Sequence, residues 1–443
     1  MPQPSEWTRR PEMRNPSTFL RQLEQLGRVR FALLMVLLSL SASWLVAGMV
    51  TSWWQHPPGL VNELGATIGR DFVAPYSAAS LALSGNPEAA YEPERIHAAE
   101  RQVIGAPLNL IPWLYPPTAL LLMLPLALLP YLAALALWLG GQIGALLLLL
   151  RRLFPHPLAP MAALVFPGTA QSLIAGQNGL FSTVLVGGGL YYLDRRPLLA
   201  GLFFGTLTYK PQMALATFAA LLFGAYWRTF AITLATSAGL AVASAAILGI
   251  AHWFAFVHQL DAAGTLLGDG RIPLDRMVTV FAALRLAGVG TAVSSLAQSS
   301  VTLLALGAIA YVWRQRASLH WRGSVLATAI PLTTPYAFHY DLVLLLLPMA
   351  WLVWAGVTTG FRRGEVPLLI AAWMSPVAGW LLAEQSHVLL TPAVLALMLL
   401  NVLRRVTLPS LAAPSPASPG FSPRAANGVH HSAELSDYRA SSL

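Results

Sequence analysis

With 56% hydrophobic and only 10% charged residues among 443, this chain lacks the polar inventory to coat a water-soluble globule. Its net charge of +9 rests on 27 basic residues, all but one of them arginine. These are scattered through short loops, as topology signals and anionic-lipid contacts are, and do not point to a nucleic-acid partner. There are no cysteines, which excludes disulfides and thiolate metal sites.

In chain order, residues 1–28 are polar and carry Arg9, Arg10, Arg14, Arg21 and Arg28. This segment is long for a signal peptide and the apolar stretch after it is long enough to span, so it reads as a cytoplasmic segment before an uncleaved first helix. A transmembrane domain is expected over 29–405, all-α, with about twelve spans. They lie near 29–51, 116–150, 157–174, 178–194, 197–209, 211–226, 229–250, 290–313, 323–337, 340–358, 366–384 and 387–403. The second is too long for one straight helix, and Pro125 and Pro130 are expected to break it into a short piece and a full span. Two outer loops, 53–115 and 251–289, are expected to carry interfacial helices, and Pro93–Ile104 has the amphipathic look of one. Residues 406–443, rich in Ser, Pro and Ala from Pro409 on, read as a disordered cytoplasmic tail.

With the N-terminus inside, every inner loop receives arginine: Arg151–Arg152, Arg195–Arg196, Arg228, Arg314–Arg316–Arg322, Arg362–Arg363 and Arg404–Arg405. The unusual polar residues then fall at the outer ends of helices. They are Arg70, Asp71 and Tyr76; Tyr115 before Pro116–Pro117; Gln177 and Asn178; Tyr209, Lys210 and Gln212; and His339 and Asp341. Ionisable groups at membrane depth are costly, which makes them functional candidates. Each also has a plainer explanation: a solvated or helix-capping Asp71, a snorkelling Lys210, a turn-closing Gln177–Asn178, a structural His339–Asp341 clamp. Gly187–Gly188–Gly189 and the Gly201–Gly205 pair read as helix-packing positions. No Walker loop, dinucleotide fingerprint, zinc-protease motif or Asp-x-Asp occurs.

The series Arg70-Asp71-Phe72…Tyr76, Leu114-Tyr115-Pro116-Pro117…Leu124-Pro125-Leu126, Gly176-Gln177-Asn178-Gly179-Leu180 and Ala200-Gly201…Tyr209-Lys210-Pro211-Gln212 resembles glycosyltransferase family 87 of the GT-C superfamily, over about residues 30–405. The resemblance implies an inverting transferase of a bacterial-type inner membrane with a periplasmic active site. It would move a sugar, mannose in characterised relatives, from a polyprenyl-phosphate sugar to a hydroxyl of a lipid or glycan. Asp71 matches the position of the general base. For the donor phosphate the candidates are Lys210 first, then Arg271, Arg276 and His339, chosen on charge and side of the membrane. Sugar or acceptor contacts are expected from Arg70, Tyr76, Tyr115, Gln177, Asn178, Tyr209, Gln212 and Asp341. No metal or other cofactor is required by these residues, and membrane lipids are the remaining partners. Two readings compete: a lipid-linked sugar transporter or flippase, and a non-enzymatic envelope-assembly protein. Transporters place their binding residues near the midplane between repeats, whereas these lie at one rim.

Overall fold

The structure is a computed structural model that describes residues 40–48, 50–51, 59–61, 67–154, 158–269 and 272–408. The expected cytoplasmic leader, the expected disordered tail from residue 409 on and Arg271 lie outside the described residues. A 3-10 turn at Arg70–Phe72 leads into α1 (Val73–Leu83), followed by a second 3-10 segment (Pro87–Tyr91) and α2 (Pro93–Ile104). Next come α3 (Pro117–Ala127), α4 (Tyr131–Leu153), α5 (Leu158–Val165), α6 (Pro167–Ile174), α7 (Gly179–Tyr192) and α8 (Pro197–Thr206). Then follow α9 (Pro211–Phe223), α10 (Trp227–Leu248), α11 (Ala251–Gly268), α12 (Val280–Leu286) and α13 (Thr291–Arg314). The chain continues through α14 (Leu319–Ala329), α15 (Leu346–Thr359), α16 (Glu365–Ser386) and α17 (Thr391–Thr407). Among the described residues there is no strand, only two isolated bridges, Val61 with Thr67 and Met277 with Phe338.

Proline punctuates this chain where helices begin. Pro93, Pro117, Pro167, Pro197 and Pro211 each sit in the first turn of a helix, where a missing N–H costs nothing. The long apolar run after Tyr115 splits at Pro130, which caps α4, whereas Pro125, also expected to break the run, sits inside α3 without ending it. Among the described residues, five helices are long and apolar enough to cross a membrane: Tyr131–Leu153, Trp227–Leu248, Thr291–Arg314, His339–Thr359 and Glu365–Ser386. Several of the other expected spans are short or broken. The run at 323–337 is the clearest departure: α14 stops at Ala329, Ile330–Leu332 is 3-10, and the chain then runs without helix to Phe338. Pro331, Thr333, Thr334 and Pro335 in sequence explain the stop, since none of them favours continuation of an α-helix.

Outward faces are apolar, as lipid contact requires: α13 exposes Leu296, Leu303 and Leu304, and α11 exposes Phe254, Val257 and Leu260. Inside, small residues let helices approach. A Cβ on Gly201 would stand 2.5 Å from Ile232, and one on Gly205 would stand 2.7 Å from the Thr233 carbonyl, so this pair is the contact of α8 on α10. Gly188 and Gly189 likewise receive the rings of Phe203 and Phe204. At one end of the bundle, buried arginines tie helices together: Arg405 pairs with Glu365, and Arg322 pairs with Asp194 at 3.0 Å. Helices α7, α9 and α13 run toward these arginine-bearing ends, whereas the polar residues singled out above lie at opposite helix ends.

The segment between α1 and α3 packs on the bundle through Ile96, Ile104, Trp113 and a fully buried carboxyl, Glu100. The Ile111 N–H donates to Glu100 Oε2 at 3.3 Å, while Oε1 has no hydrogen-bond partner among the described residues. Burial pushes the Glu100 carboxyl up to about 8. Between the ordinary carboxylate range and that value, the folded chain holds a proton that the unfolded chain has released. Stability is therefore highest at low pH on this account and falls as pH rises toward 8. Glu100→Gln is expected to flatten that fall, raising the melting temperature in detergent at pH 8–9 relative to the unaltered protein and changing it little at pH 5. Equal pH slopes for the two proteins would contradict this.

Candidate functional site

Three chain segments meet at the polar end, and glycine is what lets them meet. Gly176 has φ +68°, and a Cβ there would lie 2.1 Å from the Gly69 carbonyl oxygen. A Cβ on Gly179 would lie 2.0 Å from the Tyr340 carbonyl oxygen. Both clashes are with main chain, which cannot swing aside as a side chain can. The Gly176-Gln177-Asn178-Gly179 turn is thereby pressed between the 69–72 turn and the segment at 340–341.

Asp71 is set by this contact. Gly69 and Arg70 both have positive φ, +76° and +39°, and Arg70 is a non-glycine residue in that region. The turn closes with the Phe72 N–H donating to the Gly69 carbonyl at 2.8 Å, and the Asp71 N–H donates to the Ala175 carbonyl at 3.0 Å. Phe72, fully buried, packs on the rings of Tyr76 and Tyr131. The Gln177 amide Nε2 then donates to Asp71 Oδ2 at 2.8 Å. Burial raises the Asp71 carboxyl above the ordinary carboxylate range, opposed by the Gln177 hydrogen bond and by the charges of Arg276 and Arg70.

From Gln177 the contacts run inward. Tyr115 Oη donates to Gln177 Oε1 at 3.3 Å, and Asn178 Nδ2 donates to Tyr115 Oη at 2.8 Å. Lys210 Nζ donates to Asn178 Oδ1 at 3.2 Å and to Asp341 Oδ1 at 2.5 Å, and it lies 5.2 Å from the centre of the Tyr340 ring. The other Asp341 oxygen accepts the Phe338 N–H at 3.1 Å. Tyr209 stacks on Tyr115 with centroids 6.4 Å apart and shares a 2.7 Å hydrogen bond with Ser182. Lys210, Tyr209 and Asp341 are each 2% exposed and form a floor. Arg70, Asp71, Tyr115, Gln177 and His339 are partly exposed above it, and Arg276 is exposed.

Arg276 comes from the loop after α11. Its 3-10 turn, Leu274–Arg276, is pinned by the Met277–Phe338 bridge, by the Val278 N–H on the Ala337 carbonyl at 3.0 Å and by Thr279 Oγ1 on the Pro335 carbonyl at 3.1 Å. His339 Nδ1 meets the Arg276 carbonyl at 2.9 Å, and the imidazole stacks on Trp380. Burial and, after it, the like charge of Arg276 lower the Arg70 guanidinium, opposed by Asp71, so two cations face one carboxylate here.

Most of the residues expected from the sequence therefore converge. Two stand apart. Tyr76 donates its hydroxyl to the Leu129 carbonyl at 2.7 Å, and among the described residues Gln212 makes no hydrogen bond to the cluster. Two further residues belong to the site that the sequence reading did not include. Gln142, buried in the middle of α4, donates to the Gln177 carbonyl at 3.3 Å and accepts the Phe181 N–H at 3.0 Å, bracing the turn. Its signal was a lone amide in an otherwise uncharged run. Tyr336 lies close enough to Asp71 and Asp341 for both charges to act on its phenol. The Thr333-Thr334-Pro335 interruption was the signal for that residue. Among the described residues no group of three or more His, Asp or Glu side chains is arranged to hold a metal ion.

No curated protein and no solved structure matches this chain. The family model of glycosyltransferase family 87 matches residues 113–335, which takes in Tyr115, Gln177, Asn178, Lys210 and Arg276 and stops short of Asp71 on one side and Asp341 on the other. By this match over half its length, together with its membrane-length apolar helices, the chain belongs to glycosyltransferase family 87.

Proposed function

We propose that this chain is an inverting glycosyltransferase of GT-C type with about twelve spans, working at the periplasmic face of a bacterial-type inner membrane. It moves a sugar, mannose by family analogy, from a polyprenyl-phosphate sugar to a hydroxyl of a lipid or glycan. The observation that carries this reading is one partly exposed carboxylate, Asp71, with Arg70 and Arg276 acting on it and a rim of aromatic and amide groups around it.

Asp71 takes the proton of the acceptor hydroxyl as its oxygen bonds to the anomeric carbon on the face opposite the phosphate. The bond from that carbon to the phosphate oxygen breaks, and its electron pair leaves with the lipid phosphate. Negative charge then grows on the phosphate, where fixed cations in a dry site stabilise it most. Exposed Arg276 suits this task best, with Arg70 and the free edge of His339 beside it; Arg271 remains a further candidate from the same loop. Lys210, placed first for phosphate on sequence grounds, has its charge taken up by Asp341. Tyr115, Gln177 and Asn178 offer hydroxyl and amide groups to the sugar or acceptor, while Tyr209 and Asp341 support them from beneath.

The test uses purified protein in detergent with polyprenyl-phosphate mannose and a lipid extract, reading products by mass spectrometry. A mannosylated product that does not form with GDP-mannose alone is expected. Arg276→Ala should raise the donor KM about tenfold, equivalent to about 1.4 kcal/mol, with a smaller change in kcat. An unchanged donor KM would remove Arg276 from the phosphate site, and use of GDP-mannose in place of the lipid donor would overturn the donor class.

A further inference from the structure

The chain of contacts from Lys210 to Asp71 has a direction. An ammonium group only donates, so Asn178 must turn its carbonyl toward Lys210 and its NH2 toward Tyr115. Tyr115 Oη, having accepted that hydrogen, spends its own on Gln177 Oε1. Gln177 is then left with only N–H to show Asp71. At the far end, Asp341 Oδ1 and the Tyr340 ring hold the ammonium in place, and Lys210 is 2% exposed.

We propose that Lys210 is a positioning residue for the transfer reaction: it sets the polarity of the Asn178–Tyr115–Gln177 chain so that the Asp71 carboxylate always faces a donor and is held ready to accept a proton. This rests on the reading of Asp71 as the base. A protonated Asp71 keeps only its carbonyl oxygen, a weaker acceptor than a carboxylate, for the Gln177 N–H, and its new O–H finds no acceptor on Gln177. Gln177 can supply one only by turning its amide, which forces Tyr115 and Asn178 to reverse in turn until Asn178 presents NH2 to an ammonium that cannot accept. The chain thus opposes protonation of Asp71 from a distance of three side chains, and it works against the burial that favours the neutral acid.

Breaking the chain should therefore move the acid limb of the pH–rate profile. Two variants do so in different ways. Tyr115→Phe removes the central hydroxyl without touching a charge. Lys210→Met combined with Asp341→Leu removes the donor-only end and its counter-ion together, leaving no orphaned charge in the floor. With polyprenyl-phosphate mannose as donor, both are expected to shift the acid limb of kcat upward by about one pH unit, and in the double variant the donor KM should stay within about twofold. A limb that stays in place or moves down in either folded variant overturns the proposal, as does a large rise in donor KM in the double variant, which would make Lys210 a phosphate ligand. Asp71→Asn, run alongside, separates the two layers. Turnover surviving in that variant removes the base itself, whereas its loss combined with an unmoved limb in the other two removes only the role of Lys210.

Discussion

Asp71→Asn is expected to lower turnover by about 10³-fold or more while leaving the fold and donor binding intact, since a positioned general base contributes roughly 10²–10⁴-fold. The substitution is nearly isosteric. The main-chain bond from residue 71 to the Ala175 carbonyl does not depend on the side chain, and an amide oxygen can still accept from Gln177 at the position of Oδ2. Loss of a negative charge beside Arg70 and Arg276 should, if anything, tighten the hold on an anionic donor. The pH dependence of the unaltered enzyme belongs to the same argument. A base works when deprotonated, and burial outweighs the cations and the Gln177 bond at Asp71. Activity should therefore rise with pH through a limb lying above the ordinary carboxylate range. The same variant divides the competing readings. A flippase would show a transport defect with no glycosidic product in either protein, and a scaffold would be insensitive to the change. Full transferase activity in Asp71→Asn would refute the assignment.

The second large effect concerns the glycines of the central turn. Gly179→Val is expected to cost at least about 2 kcal/mol of stability and to abolish activity, because the added atoms fall on the Tyr340 main chain, from which a Cβ alone would be 2.0 Å away. Relief requires α7 to retreat from the 340–341 segment. That movement would pull Asn178 from Lys210 while Asp341 stays with Phe338. Gly176→Ala should act similarly on the other side, with positive φ adding to the collision with the Gly69 carbonyl and with Asp71 separating from Gln177. Melting in detergent, read beside activity, checks both. By contrast Gly140→Ala, where a Cβ meets nothing within 4 Å, is the matched control and should change neither. An active Gly179→Val protein of ordinary stability would mean that the three segments do not need this contact.

Much of this was legible along the chain. Low charge and long apolar runs determine a helical membrane protein, because a lipid-facing backbone must satisfy its own hydrogen bonds. Proline positions determine where several helices begin, and Pro130 divides the long run after Tyr115 as expected. The polar residues at one set of helix ends were visible as exceptions to that apolar rule. Pairing between them was not, since Lys210 and Asp341 are 131 positions apart and Gln177 and Asp71 are 106 apart. An isolated lysine at a turn reads the same whether it meets a phosphate or a buried carboxylate. Only the packing of the 69–72, 176–179 and 340–341 segments on bare glycine decides that it meets Asp341. The same packing decides that Tyr76 turns to the Leu129 carbonyl and that Gln142, in the middle of α4, braces the turn. Sequence determined which residues were out of place in a membrane. Tertiary structure decided which of them face one another, because those partners come from distant segments that share no local periodicity.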